Sequence, residues 1–312
     1  MSDWRPGAAR SLLAQRAALL GRIRSFFAER DVLEVETPLV GNATVTEPAL
    51  ASLALAGAPH RFLQTSPEYA MKRLLAAGAG PIFQLCKAFR ADERGRYHNP
   101  EFTLLEWYRP GFDHHALMTE VAELLVLCLG HRAWRKVSYR ELFREHLAVD
   151  PHRAPLTELA ALARDRLAIG DTGLDRDGWL DLLFSHCIEP VLTGTVCVHA
   201  YPVSQAALAR IGEADGEPVA ERFEFFVDGV ELANGFHELT DAREQARRFA
   251  ADNAVRRRRG LPAVAADRRL LAALEAGLPP CSGVALGVDR LLLVAAGAGS
   301  LAEVLAFDWD RA

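Results

Sequence analysis

The sequence predicts an α+β protein in which an antiparallel β-sheet is flanked by helices. Helical and strand patterns are segregated along the chain rather than alternating, which favours this arrangement over a doubly wound fold. An Asp-Gly pair stands between two runs of alternating hydrophobic residues, a signal for a two-residue hairpin turn. Half of the 312 residues are hydrophobic and a quarter are charged, which supplies enough apolar material for a core.

The composition excludes several classes of protein. The 36 Lys and Arg against 41 Asp and Glu give a net charge of −5, so the total charge gives no reason to expect nucleic acid as the main ligand. No apolar run approaches the roughly 20 residues that span a bilayer, and the N-terminus lacks the apolar stretch of a secretory signal. The five cysteines are far apart and include no CxxC pair, as in a reducing compartment. We therefore expect a cytoplasmic protein with no membrane partner.

The first third of the chain predicts a long helix followed by strands and a second helix. The long helix has an apolar face broad enough for a buried or subunit-interface position, and Ser11 could cap its start. The predicted helices are 11–30 and 67–77, and the predicted strands are 32–37, 82–90 and 102–108.

The remainder predicts a helical insertion within a single domain of residues 1–312. Residues from about 114 to 190 show mostly helical patterning, broken by proline and glycine. Strand signals return at 196–201 and from 222 onward, a charged helix spans 241–259, and a strand and helix occupy 281–296.

The predicted hairpin brings two carboxylates together. With Asp228-Gly229 as the turn, Val227 faces Val230 and Glu224 faces Ala233, so that Glu224 and Glu231 are diagonal neighbours on one face. These could be two unrelated glutamates on a solvent-exposed strand. They could equally form a Mg²⁺ site, because Mg²⁺ takes carboxylate oxygens together with substrate phosphates.

Two further segments could bind a nucleotide. The loop FRADERGRYHNPEF carries Arg90, Arg94, Arg96 and His98, and Arg presents a rigid fork of phosphate-compatible donors, although such a loop is normally a solvated turn. In CSGVALGVDR, two glycines lie in a strand and Arg290 follows. Glycine inside a strand indicates either tight packing or the close approach of a ligand.

In this order the segments resemble the signature motifs of class II aminoacyl-tRNA synthetases. The runs TSPEYAMKRLL, RYHNPEFTLLEWY and ELANGFHELTDAREQ resemble the lysyl branch, and the resemblance extends from about Leu12 to Arg311. Lysyl-tRNA synthetases carry an anticodon-binding barrel ahead of this core. Only about ten residues precede the first helix here, so we expect none.

The resemblance implies an ATP-dependent, AMP-forming ligase rather than a tRNA synthetase. It implies adenylation of (R)-β-lysine, transfer of that group to a lysine ε-amine of elongation factor P, a requirement for Mg²⁺ and a homodimer formed through the first helix and strand. A truncated tRNA-acylating enzyme and an inactive amino-acid-binding paralogue are the alternatives. The second is disfavoured because the chain keeps Arg90, Glu224, Glu231 and Arg290.

The resemblance also implies roles for individual residues. Arg90 would hold the α-phosphate and the substrate carboxylate, and Arg290 the γ-phosphate, which makes these two the catalytic residues. The residues implied around ATP are Arg90, Asp92, His98, Asn99, Phe102, Glu231, Leu232, Gly287 and Arg290. The residues implied around the diamino acid are Ser66, Glu68, Glu106, Tyr108, Asn234, Glu238 and Ala285. Glu224 and Glu231 would bind Mg²⁺.

Two positions depart from the lysyl pattern. Asp92 stands where Arg-x-Glu is usual, which shortens the acid that would contact adenine. Ala285 stands where a third glycine is usual, and its methyl group should reshape the amino-acid pocket. The resemblance implies that this second change disfavours α-lysine and suits the displaced amine of β-lysine.

Overall fold

A computed structural model describes residues 4–58, 60–170 and 172–312. The chain forms two compact units, one of residues 1–130 and 238–312 and the other of residues 131–237. Within the described residues, no helix is both long enough and apolar enough to cross a bilayer.

The first unit contains a four-stranded sheet and the helices that pack against it. Its helices are α1 (Arg10–Ala28), α2 (Glu68–Ala76), α3 (His114–Leu129), α7 (Ala242–Arg258), α8 (Arg268–Gly277), α9 (Val288–Ala296) and α10 (Leu301–Val304). Its strands are β1 (Leu33–Glu34), β2 (Val40–Gly41), β3 (Phe62–Leu63), β4 (Ile82–Phe89), β5 (Glu101–Pro110) and β11 (Cys281–Gly287). The sheet order is β1-β4-β5-β11, with β1 parallel to β4 and the other pairs antiparallel, while β2 and β3 pair separately.

Aromatic packing fixes α1 against this sheet. The Phe27 ring of α1 stacks on Phe83 of β4 with centroids 4.5 Å apart, and it meets Trp107 of β5 edge-on at 5.3 Å. All three side chains are buried, and each removes a large apolar area from water. The face of the sheet that carries Phe83 and Trp107 is therefore buried against α1.

The second unit contains five strands and a helical layer. Its helices are α4 (Tyr139–Leu147), α5 (Leu156–Leu167) and α6 (Arg176–Leu183), and its strands are β6 (Trp134–Ser138), β7 (Thr195–Tyr201), β8 (Ile211–Ala214), β9 (Glu217–Val227) and β10 (Val230–His237). The strand order is β10-β9-β7-β6, with β8 beside β9. The rings of Tyr139, Phe143, Phe184 and Tyr201 form a buried aromatic cluster between helices and sheet.

The predicted elements are confirmed with small differences at their ends. The α+β class and the mostly antiparallel sheets are as expected. Ser11 is not the cap of α1, because the helix already begins at Arg10 and Ala9 precedes it without a side-chain hydrogen bond. The strand predicted at 32–37 is reduced to Leu33–Glu34, although the Val35 N–H still donates to Phe83 O at 2.9 Å.

Candidate active site

The register of β4, β5 and β11 gives their sheet two different faces. Residues directly opposite in an antiparallel ladder share a face, and neighbours along a strand alternate. The Phe83–Trp107 row lies on the face covered by α1. The next row, Gln84, Glu106 and Ala285, therefore lies on the other face. We call this second face the polar face.

Three carboxylates and one lysine form an acidic pocket at the polar face. Lys72 of α2 is buried, and its Nζ lies 2.6 Å from Glu68 Oε1 and 2.6 Å from Glu238 Oε2. The Ser66 hydroxyl accepts a hydrogen bond from the Glu68 N–H at 3.0 Å, which fixes the start of α2. One cation is thus shared between two acids.

Glu106 is the third acid of this pocket. Its Oε1 accepts a hydrogen bond from the Tyr108 hydroxyl at 2.7 Å, and both side chains are buried. Burial, followed by repulsion from Glu68, raises the pKa of Glu106 to about 8, while the Tyr108 and Ser66 hydroxyls oppose the rise. Burial also raises the pKa of Glu238 to about 7, with Lys72 opposing it. The pocket therefore holds more acid than its own cation neutralises.

The close packing of this pocket leaves no room for a side chain at Gly283 of β11. It lies opposite Tyr108, and a Cβ at position 283 would come within 2.3 Å of the Tyr108 ring and 2.5 Å of Glu238 Oε1. Ala285, two residues further along, lies opposite Glu106, so its methyl group is on the same polar face. The predicted pocket residues Ser66, Glu68, Glu106, Tyr108, Glu238 and Ala285 are thus brought to α2, the polar face and the segment after β10.

Arg90 follows β4 and lies over an aromatic ring. Its guanidinium carbon is 5.1 Å from the centroid of the Phe102 ring, and its Nη1 lies 2.9 Å from Glu93 Oε1. The Nε atom of Arg90 is buried and has no hydrogen-bond partner among the described residues. Phe102 lies opposite Ala88, in register with the polar face. An arginine and an aromatic surface therefore stand side by side.

Arg290, in the first turn of α9, contacts the loop of residues 90–100 between β4 and β5, which we call the arginine-rich loop. Its Nε donates to Tyr97 O at 3.0 Å, and its Nη2 lies 2.8 Å from His98 Nε2. A Cβ at Gly287, the residue that caps α9, would be 3.8 Å from the Arg290 side chain, which is ordinary contact, so packing within the chain does not require a glycine there. Asp92 lies exposed in the same loop.

The amide of Asn99 is engaged by the protein itself. Its Nδ2 donates to Glu101 O at 2.6 Å, and its Oδ1 accepts from the Trp309 N–H at 2.9 Å. This side chain ties the arginine-rich loop to the C-terminal segment, and its contact with ATP stays a prediction.

The second unit contains the predicted pair Glu224 and Glu231, with one correction to its register. The turn is as predicted, since Val227 pairs with Val230 and both Asp228 and Gly229 have positive φ. A β-bulge between Glu231 and Ala233 then shifts the ladder, so Glu224 lies opposite Asn234 and the prediction that it faces Ala233 was wrong. The extra residue is Leu232, which is buried.

The bulge brings oxygen atoms together around Glu224. Its two oxygens contact the Tyr201 hydroxyl, at 2.6 Å, and Arg222. Burial raises the pKa of Glu224, Arg222 opposes the rise, and repulsion from Glu231 adds to it. The buried Oδ1 of Asn234 has no hydrogen-bond partner within the described part of the chain. These atoms are hard oxygen donors, which fit Mg²⁺.

Sequence reasoning missed two polar residues of the acidic pocket. The contact between Lys72 and Glu68 has a local signal, because the two are four residues apart on a helix. Gln84 also had a signal, since strand alternation in β4 places it opposite Glu106. Neither residue had been singled out from the sequence.

Comparison with known proteins shows where this architecture occurs. The family model "tRNA synthetases class II (D, K and N)" matches residues 1–311. The relatives include proteins named elongation factor P–(R)-β-lysine ligase from Salmonella paratyphi B, Salmonella heidelberg and Salmonella typhimurium. Each is 52% identical over 322 aligned positions, which cover 100% of this chain and 99% of the relative.

Proposed function

Because the chain belongs to the class II (D, K and N) tRNA synthetase family, we propose that it is an ATP-dependent ligase that acts on a diamino acid. Its substrate is (R)-β-lysine, and the acceptor is a lysine ε-amine of elongation factor P, as the names of the relatives indicate for those proteins. The observation that carries the proposal is the acidic pocket, in which Lys72 pairs with Glu68 and Glu238 while the buried carboxylate of Glu106 has no cationic partner among the described residues.

The pocket chemistry supports a substrate with two ammonium groups. Ionised carboxylates in a dry pocket need cationic partners, and among the described residues Lys72 pairs with Glu68 and Glu238 but not with Glu106. A diamino acid supplies the missing positive charge, and its arrival lowers the raised pKa of Glu106. Ser66 and Tyr108 orient the acids.

The first reaction forms the adenylate. A carboxylate oxygen of the substrate attacks the α-phosphorus of ATP, the bond to the bridging oxygen breaks, and pyrophosphate leaves with the electron pair. Arg90 neutralises charge at the α-phosphate and Arg290 at the terminal phosphate, while Phe102 provides a flat surface for adenine. Positioning and charge neutralisation perform this step, so no covalent nucleophile on the protein is required.

The second reaction transfers the acyl group to the protein acceptor. The neutral ε-amine attacks the carbonyl carbon of the adenylate, an amide bond forms, and AMP leaves. The amine gives up one proton in this step, and a phosphate oxygen of the departing AMP accepts it. Because the acceptor is a protein amine, the enzyme does not use tRNA as a partner.

Glu224 and Glu231 are the proposed Mg²⁺ ligands. The repulsion between them and the orphaned oxygen of Asn234 support a bound cation. A Mg²⁺ ion held by these two carboxylates would supply positive charge for the phosphates of ATP. Replacing Glu231 by Gln should raise the Mg²⁺ concentration that gives half-maximal activity.

A homodimer working in the cytoplasm is part of the same proposal. Apolar side chains on α1, β1 and the segment up to β2 are exposed in the single chain: Leu13, Leu33, Leu39 and Val40. Exposed apolar residues on neighbouring elements support a partner surface. Light scattering on the purified protein should give twice the mass of one chain.

Pyrophosphate exchange tests the activation step. The wild-type protein is incubated with ATP, labelled pyrophosphate and, separately, (R)-β-lysine, (S)-β-lysine or α-lysine. We expect the fastest exchange with (R)-β-lysine. No exchange with any isomer would instead support an inactive amino-acid-binding protein, and faster exchange with α-lysine would contradict the proposed substrate.

A further inference from the structure

Two residues that lie directly opposite each other on the polar face each have a buried side-chain oxygen without a hydrogen-bond partner among the described residues. Gln84 and Glu106 lie directly opposite in the β4–β5 ladder, and each is 2% exposed. Gln84 Oε1 and Glu106 Oε2 have no hydrogen-bond partner among the described residues. Buried acceptors of this kind are rare in folded proteins, because each has given up water without replacing it.

The surrounding donors are already engaged. Tyr108 donates to the other oxygen of Glu106 at 2.7 Å, and Lys72 is held by Glu68 and Glu238. The Ser66 hydroxyl lowers the pKa of Glu106, but it does not form a hydrogen bond with Oε2. None of these donors reaches Oε2, which leaves this oxygen open to a donor from a bound ligand.

The orientation of Gln84 leaves its oxygen available. Of the two polar atoms of the Gln84 amide, the oxygen is the one that is buried without a hydrogen-bond partner among the described residues. Gln64 donates to Lys87 O at 2.8 Å, so its amide is occupied. The third member of the row is Ala285, which offers no side-chain acceptor. Within this row, Gln84 is therefore the residue that offers a second acceptor to an ammonium group bound at Glu106.

We propose that Gln84 is a specificity-determining residue, whose side-chain oxygen and Glu106 Oε2 together accept hydrogen bonds from one ammonium group of the substrate. This inference rests on the proposed function, since it assumes a diamino acid. It adds a neutral acceptor to the acids of the pocket. Gln84 lies on one side of Glu106 and the methyl group of Ala285 on the other. This arrangement selects substrates by the position of their amine along the chain.

Replacing Gln84 by Met tests the inference, because Met keeps the length of the side chain and removes the acceptor. We expect the Michaelis constant for (R)-β-lysine to rise about tenfold, the scale of one lost hydrogen bond to a charged group, while that for ATP is unchanged. The melting temperature of the ligand-free protein should stay the same or rise, since an unsatisfied buried group is removed. Gln84→Glu keeps an acceptor oxygen and should bind (R)-β-lysine as the wild type does.

The matched control is Gln205→Met in the second unit, where the glutamine is half-buried and donates to Asp181 at 2.7 Å. It should leave both Michaelis constants unchanged. A Gln84→Met protein that is less stable than the wild type, or that loses ATP and β-lysine binding in parallel, would show that the amide serves the fold and would overturn the inference. An unchanged Michaelis constant for (R)-β-lysine in the Gln84→Met protein would overturn it as well.

Calorimetric binding of (R)-β-lysine to the ligand-free proteins separates this inference from the proposed function. Binding by the wild type that weakens in Gln84→Met supports the inference even where exchange and transfer are absent. Equal binding by both proteins with full activity would overturn the inference alone. A wild-type protein that binds no diamino acid would overturn both.

Discussion

At the scale of single residues, Gly283 sets the shape of the acidic pocket. An added methyl group would collide with the Tyr108 ring and the Glu238 carboxylate, both of which are buried. Replacing Gly283 by Ala should lower the free energy of unfolding by about 1–3 kcal/mol, as overpacking does, and raise the Michaelis constant for the diamino acid. Denaturant titration and steady-state exchange measure the two effects.

The same substitution at Gly170 is the control, because a Cβ there meets no atom of the described residues within 4 Å. It should change neither quantity. Equal effects at the two positions would contradict the packing account of Gly283.

Glu106 should make the stability of the protein depend on pH. Its ordinary pKa of 4.5 is raised to about 8 by burial, so between these values the folded protein keeps a proton that the unfolded chain has released. The free energy of unfolding therefore falls as pH rises through this window. Replacing Glu106 by Gln should reduce that fall, as measured by melting temperatures from about pH 5 to about pH 8.

Glu145→Gln, at an exposed position of α4, is the control for the loss of a carboxylate. Its melting curve should remain parallel to that of the wild type. The pH account fails if Glu106→Gln shows the same dependence on pH as the wild type.

The sequence identified the acids of the pocket better than their partners. Glu68, Glu106 and Glu238 came from the resemblance, and all three lie in one unit with their predicted neighbours Ser66 and Tyr108. Lys72 was missed because its role depends on a second acid, Glu238, that only the tertiary fold brings to it. A lysine in an amphipathic helix otherwise predicts a solvated position.

At the scale of elements, a part-buried ion pair joins α1, β5 and α9. Asp289 Oδ1 accepts from Arg16 Nη1 at 2.6 Å, and Oδ2 accepts from the Thr103 N–H at 2.7 Å. Arg16 Nη2 also donates to Thr103 Oγ1 at 2.6 Å. The residues next to Asp289 and Thr103 are Arg290 and Phe102, so this contact fixes the two elements that carry proposed ATP-binding residues.

Replacing Asp289 by Ala should lower the free energy of unfolding by about 3 kcal/mol, because it leaves a part-buried guanidinium and a buried N–H without their acceptor. Glu123→Ala removes the exposed ion pair, at 3.0 Å, between Glu123 of α3 and Arg30, which follows α1, and should lower the free energy of unfolding by less than about 1 kcal/mol. Chemical denaturation compares the two proteins. Equal losses would show that the Asp289 contact is no stronger than a surface pair.

The β9–β10 hairpin shows which part of an element can be predicted. Asp228-Gly229 specifies the turn through its conformational preference, and the pairs nearest to it followed. The bulge at Leu232 has no such local signal, because it depends on where a buried side chain packs. One inserted residue was enough to pair Glu224 with Asn234 instead of Ala233.

At the scale of the whole molecule, the order of motifs along the chain predicted more than any one of them. The arginine-rich loop, the hairpin and the glycine strand each had an ordinary structural explanation when taken alone. Their joint order indicated the family, and the family model matches almost the whole chain. The acceptor could not be deduced from the residues themselves, since no motif describes the surface that a protein partner contacts.

Transfer of labelled (R)-β-lysine tests the central claim most directly. The wild-type protein is incubated with ATP, Mg²⁺ and the labelled amino acid, and elongation factor P or total tRNA is added in separate reactions. We predict a stable label on one lysine of elongation factor P, located by peptide mass spectrometry, and none on tRNA. Label on tRNA, or an unlabelled elongation factor P in the presence of rapid pyrophosphate exchange, would contradict the account.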